Sequence, residues 1–211
     1  YEEGMSFLGE GKWARAVESF QAVLDIDPYY EDAFTRLSEA QRQKQLFDRY
    51  SEGVSNFDEG RWQEAIACFQ EVVELDPHYR DAWGKLEEAR KQVRLAELYA
   101  QGAEEFKEGR LEKAVSLLNR VVEIDPGYKD AAAMLAEARR EMEMAELYTR
   151  ATRYADSERW AEAIEIYENI LRQHPDYRDV PARLEEARRQ QELSRLYNRG
   201  IELFNQTRWG E

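Results

Sequence analysis

"GRWQEAIACFQEVVELDP", residues 60–77, places apolar side chains at Trp62, Ala65, Ile66, Phe69, Val72, Val73 and Leu75. Steps of three and four lay them along one stripe of a helix about fifteen residues long. Asp76-Pro77 stops that helix, because proline offers no N–H and its ring clashes with the preceding turn. The same helix is written 49 residues earlier as "GKWARAVESFQAVLDIDP" (11–28) and 49 residues later as "GRLEKAVSLLNRVVEIDP" (109–126). A fixed interval of that length marks a repeat architecture, so the register comes before any other reading.

Trp13, Trp62, Trp160 and Trp209 share one phase, with Leu111 in the third slot. Pro28, Pro77, Pro126 and Pro175 keep the same step, as do Tyr1, Tyr50, Tyr99, Tyr148 and Tyr197. Gly4, Gly53, Gly102 and Gly200 recur as well, with Ala151 in the fourth copy. The chain is therefore expected to be one segment, 1–211, in the phase 1–49, 50–98, 99–147 and 148–196 with a partial fifth unit at 197–211. Tyr1 falls late in a long helix and "TRWGE" (207–211) opens a fifth short one, so the segment is expected to be a piece of a longer protein.

A second helix follows each proline. Asp32, Asp81, Asp130 and Asp179 stand where a side-chain oxygen is expected to cap its first free amides. Pro181 fits in the first turn, where its missing N–H costs nothing. From that start "DAWGKLEEARKQVRLAELYAQGAEEFKEG" (81–109) runs without proline and predicts a single helix, with Gly60 and Gly109 as C-terminal caps. Glu39 with Arg42, and Glu88 with Lys91, are spaced for surface ion pairs.

These residues resemble the tetratricopeptide repeat, a helical hairpin with Gly, an aromatic, Ala, an aromatic and Pro at fixed offsets. With Pro77 as the terminal proline, Gly53, Trp62, Ala65 and Phe69 fall on those offsets. The resemblance implies an all-α, right-handed α-solenoid of tetratricopeptide-like hairpins, alternating short (~15-residue) and long (~29-residue) helices. It also implies protein or peptide binding. The interval departs from the family's 34 or so residues, and the extra length lies between Asp81 and Tyr99. About fifteen added helical residues roll the incoming helix by roughly 60° beyond whole turns. The buried stripe is accordingly expected to move from the column of Phe7, Asn56, Glu105 and Tyr154 to that of Leu8, Phe57, Phe106 and Ala155.

Composition narrows the function. A formal net charge of −14 and the lack of any dense basic run exclude nucleic acid as the main partner. No apolar run reaches membrane-spanning length, so no membrane partner is expected. Cys68 is the one cysteine, at a position that is often apolar in the other copies; it reads as a packed thiol in a reducing, cytoplasmic setting. His78 and His174 have no second ligand nearby and read as loop residues. Without a phosphate loop, a nucleophile elbow or a metal-binding helix motif, no enzyme, catalytic residue, metal or cofactor is expected.

A repeat protein carries partner information where copies differ on one face. The columns of Glu52, Gln101, Arg150 and Arg199, and of Asp58, Lys107, Asp156 and Asn205, vary in this way. Drift on a solvated face is the plainer reading of such variation. Tyr30, Tyr79, Tyr128 and Tyr177 read as packing between helices, whereas the column of Tyr50, Tyr99 and Tyr148 reads either as core or as a groove lining with outward hydroxyls. Candidate partner-binding residues are thus Tyr50, Tyr99, Tyr148, Asp58, Lys107, Arg150, Arg153 and Arg199, with the three arginines favouring acidic ligands. The resemblance implies a non-enzymatic scaffold or spacer in a larger bacterial multidomain signalling or defence protein. The rivals are end-to-end self-association through uncapped ends and a regulatory arm of an effector whose catalytic domain lies outside the chain.

Overall fold

The structure, a computed structural model, describes residues 1–206; the fifth short helix expected from Trp209 lies outside them. All regular structure among the described residues is α-helical. In chain order the helices are α1 (Glu2–Gly9), α2 (Trp13–Ile26), α3 (Ala33–Asp58), α4 (Trp62–Leu75), α5 (Ala82–Lys107), α6 (Leu111–Ile124), α7 (Ala131–Asp156), α8 (Trp160–Gln173) and α9 (Val180–Gln206). Short helices of 14 residues alternate with long ones of 26 or 27. The long helices fall short of the expected ~29 residues because the last turn ends before the glycine: Gly60 and Gly109 sit past the helix with φ of 72°. That left-handed turn is open to glycine at no steric cost. Each long helix crosses the added segment without a break.

Two compact units divide the chain, Tyr1–Glu97 and Leu98 onward. In the first, α1 packs on α2, α2 on α3 and α3 on α4; in the second, α6 packs on α7, α7 on α8 and α8 on α9. Each core is local. Ala16, Phe20, Leu37 and Ala40 form one, and Leu46, Ala65, Phe69, Val72, Ala82, Leu86 and Ala89 form the next. In the second unit Met144, Ala151, Ala163, Ile166, Tyr167, Ile170, Val180, Leu184 and Ala187 pack together. Glycines let the short helices approach: Phe69 lies on Gly53 of α3 and Phe20 on Gly4 of α1. Burying a ring such as Phe69 completely is worth about 1.5–3 kcal/mol.

Two expectations are corrected here. The buried stripe does not pass to the second column in α3. Asn56 is buried and Phe57 only half-buried, because Asn56 accepts from Arg61 Nε at 2.9 Å and donates to Cys68 Sγ at 3.8 Å. A polar residue with satisfied bonds can take an inner position that apolarity alone would deny it. Arg42 does not pair with Glu39. It donates to the Leu75 carbonyl at 2.8 Å, at the end of α4, while Glu39 takes Arg36 at 3.1 Å. The Glu88–Lys91 pair does form, at 3.6 Å.

Candidate functional site

Two of the helix-starting aspartates do not cap as expected. Asp32 and Asp130 occupy the cap position of α3 and α7 but make no side-chain bond to the first amides. Their carboxylates are held instead by a tyrosine hydroxyl 31 residues back, at Tyr1 just before α1 and at Tyr99 on α5. Tyr1 donates to Asp32, Tyr50 to Asp81, Tyr99 to Asp130 at 2.5 Å and Tyr148 to Asp179 at 2.7 Å. A charged acceptor makes this a stronger bond than a neutral one. Arg36 and Arg183 add ion pairs to Asp32 and Asp179 from one turn further on.

Each link carries a second layer. Tyr79, Tyr128 and Tyr177 meet Tyr50, Tyr99 and Tyr148 edge to face, with ring centroids 5.6, 5.8 and 6.3 Å apart. Over each pair lies a cation: Arg80, 4.9 Å from the Tyr50 ring, Lys129, 4.5 Å from Tyr99, and Arg178, 5.1 Å from Tyr148. These cations come from residues with φ of 47–48°, an uncommon backbone state for a side chain larger than glycine. In the first copy Glu31 holds that position. The hydrogen bond from Tyr148, then that from Arg183, keeps Asp179 below the ordinary carboxylate range, while the bond to Asp179 raises the Tyr148 phenol. Burial first, and then Asp81, raises Tyr50. The ladder rings are therefore half-buried and their hydroxyls are engaged within the chain.

The exposed candidates separate. Arg150 and Arg153, one turn apart on α7, line a groove of about 680 Å³ between α7 and the start of α6, together with Thr149, Met142, Ala145 and Leu111. Arg110 and Lys113 stand on the opposite wall with Glu112, and Glu146 stands beside Arg150. Arg110 is committed to Glu105 and Glu108, whereas Lys113, Arg150 and Arg153 have no ion pair among the described residues. Asp58 at the end of α3, Lys107 at the end of α5 and Arg199 on α9 are exposed and do not line this groove.

Cys68 is buried, and burial pushes its thiol upward, away from the reactive thiolate. His174 packs near Tyr177, at 6.4 Å between ring centroids. The backbone N–H of His78 donates to Asp76 in the Asp-Pro turn, at 2.9 Å. Among the described residues no three His, Cys, Asp or Glu side chains gather to hold a metal, and no helix is long and apolar enough to cross a membrane. Sequence reasoning missed the tyrosine–aspartate link and the groove. The first had a signal, two invariant columns at a constant separation of 31. The second had one too, the break in the tryptophan column at Leu111.

Three family models described as "Tetratricopeptide repeat" match residues 49–79, 98–128 and 130–177, together more than half of the chain. The first two are offset by the repeat interval and leave 80–97 between them, which is where the added helical segment lies. No curated protein matches the chain. Among solved structures, the crystal structure of the P58(IPK) TPR domain is similar at 17% identity and a TM-score of 0.29, over 92% of this chain and 65% of that one. The chain thus spans less than two thirds of that protein's solved length.

Proposed function

The chain belongs to the tetratricopeptide repeat family, and from that premise we propose that it is a non-enzymatic scaffold that binds protein or peptide, within a larger multidomain signalling or defence protein of a bacterial cytoplasm. The single observation that carries the binding role is the α6–α7 groove with Lys113, Arg150 and Arg153, which have no ion pair among the described residues. Stiff paired helices present these side chains, while the tyrosine–aspartate links hold successive long helices in place. Asp58, Lys107 and Arg199 belong to the same proposal as exposed, copy-specific positions. Affinity capture from the source cell, comparing wild type with Arg150→Glu/Arg199→Glu at equal helicity, tests it. An altered set of captured proteins is expected, and an identical set removes the assignment.

A second reading rests on α9. Leu193, Leu196, Tyr197 and Ile201 are exposed there, and a Cβ on Gly200 meets nothing within 4 Å, where the equivalent Gly53 is covered by Phe69. Such a face is complementary to a short helix of the repeat, so end-to-end association of copies is the alternative. Light scattering over a concentration series separates the two, since a monomer at high concentration removes this one.

A further inference from the structure

The α6–α7 groove lies where the other copies keep an indole. A Cβ on Gly11 would stand 3.5 Å from Cζ2 of Trp13, and one on Gly60 3.8 Å from Cζ2 of Trp62. In these copies the ring that opens the short helix leans on the turn glycine. In the third copy Leu111 takes the tryptophan's place, and a Cβ on Gly109 meets nothing within 4 Å. Gly109 and Leu111 both line the groove, with Met142 and Ala145 across it on α7. The space beside Gly109 is therefore open, with Leu111, Met142 and Ala145 as its apolar walls, within a groove whose volume falls in the range of ligand pockets.

Its rim is charged in the opposite sense to the chain. With Arg110 already neutralised by Glu105 and Glu108, Lys113, Arg150 and Arg153 still outnumber Glu112 and Glu146 there, on a protein of net charge −14. A local positive site on a negative body attracts an acidic segment and discriminates against a long polyanion.

We infer that this groove receives one aromatic side chain, Trp or Phe, from an acidic segment of a partner protein, with the ring in the space left by Leu111 and flanking carboxylates on Lys113, Arg150 and Arg153. The inference rests on the protein-binding reading above and names the site and the chemistry of the partner. The indole supplies the apolar contact, and its edge N–H is free to meet Glu112 or Glu146 at the rim.

The test is fluorescence polarisation with two labelled peptides, one with a single Trp between pairs of Glu, the other with Ala in place of that Trp. Wild type is expected to bind the Trp peptide about ten-fold more tightly, the discrimination an apolar pocket gives. Leu111→Trp restores the residue of the other copies and fills the groove, so it should erase that difference while leaving helicity unchanged. Thr149→Trp, an exposed groove position on α7, is a second filling variant that leaves the core untouched. Arg150→Glu/Arg153→Glu should weaken both peptides. Equal binding of the two peptides by wild type, no binding of either, or an undiminished Trp preference in both filled variants overturns the socket. Equal binding that Arg150→Glu/Arg153→Glu still weakens overturns the socket alone and leaves the protein-binding face standing. Tighter binding of oligo-dT than of the Trp peptide overturns the choice of partner.

Discussion

Tyr148 stands half-buried on α7 with its hydroxyl on Asp179 and its ring between Tyr177 and Arg178. One side chain thus ties the middle of one long helix to the start of the next. Replacing it with Phe keeps the ring contacts and removes only the hydroxyl. The cost should be about 0.5 kcal/mol, the low end for a hydrogen bond that solvent reaches. The pH dependence is more diagnostic. Asp179 is held below its unfolded value, so its contribution is present above about pH 4 and disappears as pH falls through the folded value. Tyr148 is held above its unfolded value, so its contribution is present below about pH 10 and is lost as pH rises through the folded value. Tyr148→Phe should therefore flatten the alkaline limb of a urea-stability profile. It should flatten the acid limb only in part, since Arg183 continues to hold Asp179 down. Unchanged limbs would mean that the link contributes nothing.

The helix pair is where the repeat gains its stability, and two glycines separate packing from propensity. A Cβ on Gly53 would stand 2.8 Å from Phe69 Cε1, while one on Gly200 has open space. Alanine improves either helix by about 1 kcal/mol. At Gly53 it also overpacks against a fully buried ring, at about 1–3 kcal/mol. Gly53→Ala should lower the unfolding free energy by about 1 kcal/mol net, read as a lower urea midpoint, and Gly200→Ala should leave that midpoint unchanged or raise it. The same scale shows what was legible beforehand. Apolar spacing between Trp62 and Leu75, and the run from Asp81 without a proline, gave both helix types and their order. Local signals fix local structure. Asp32 and Asp130 stand at the expected turn but bond a tyrosine rather than the first amides, because a separation of 31 residues does not say which helix lies alongside. Asn56 was misjudged because its inner position depends on Arg61 and Cys68, not on its own polarity. The break at Leu111 was visible as a substitution, yet its vacancy is defined only once α7 lies across the turn.

At the scale of the molecule, each of these cores draws on a stretch no longer than one repeat, from Ala16–Ala40 in the first to Met144–Ala187 near the end. Stability in such an array is a sum of local terms rather than one shared interior. A cavity at Phe20, which is fully buried, should cost about 3–5 kcal/mol. That loss should fall on the helices that touch it. Hydrogen exchange of Phe20→Ala is expected to show lower protection in α1, α2 and α3, with α8 and α9 at wild-type values. A uniform loss through every helix would mean a single cooperative unit and would contradict the local cores. The groove at Leu111 is built entirely from α6, α7 and the turn before α6. It should therefore keep its preference for the Trp peptide in Phe20→Ala, because a scaffold assembled from local cores can lose its first hairpin and still present a later binding face.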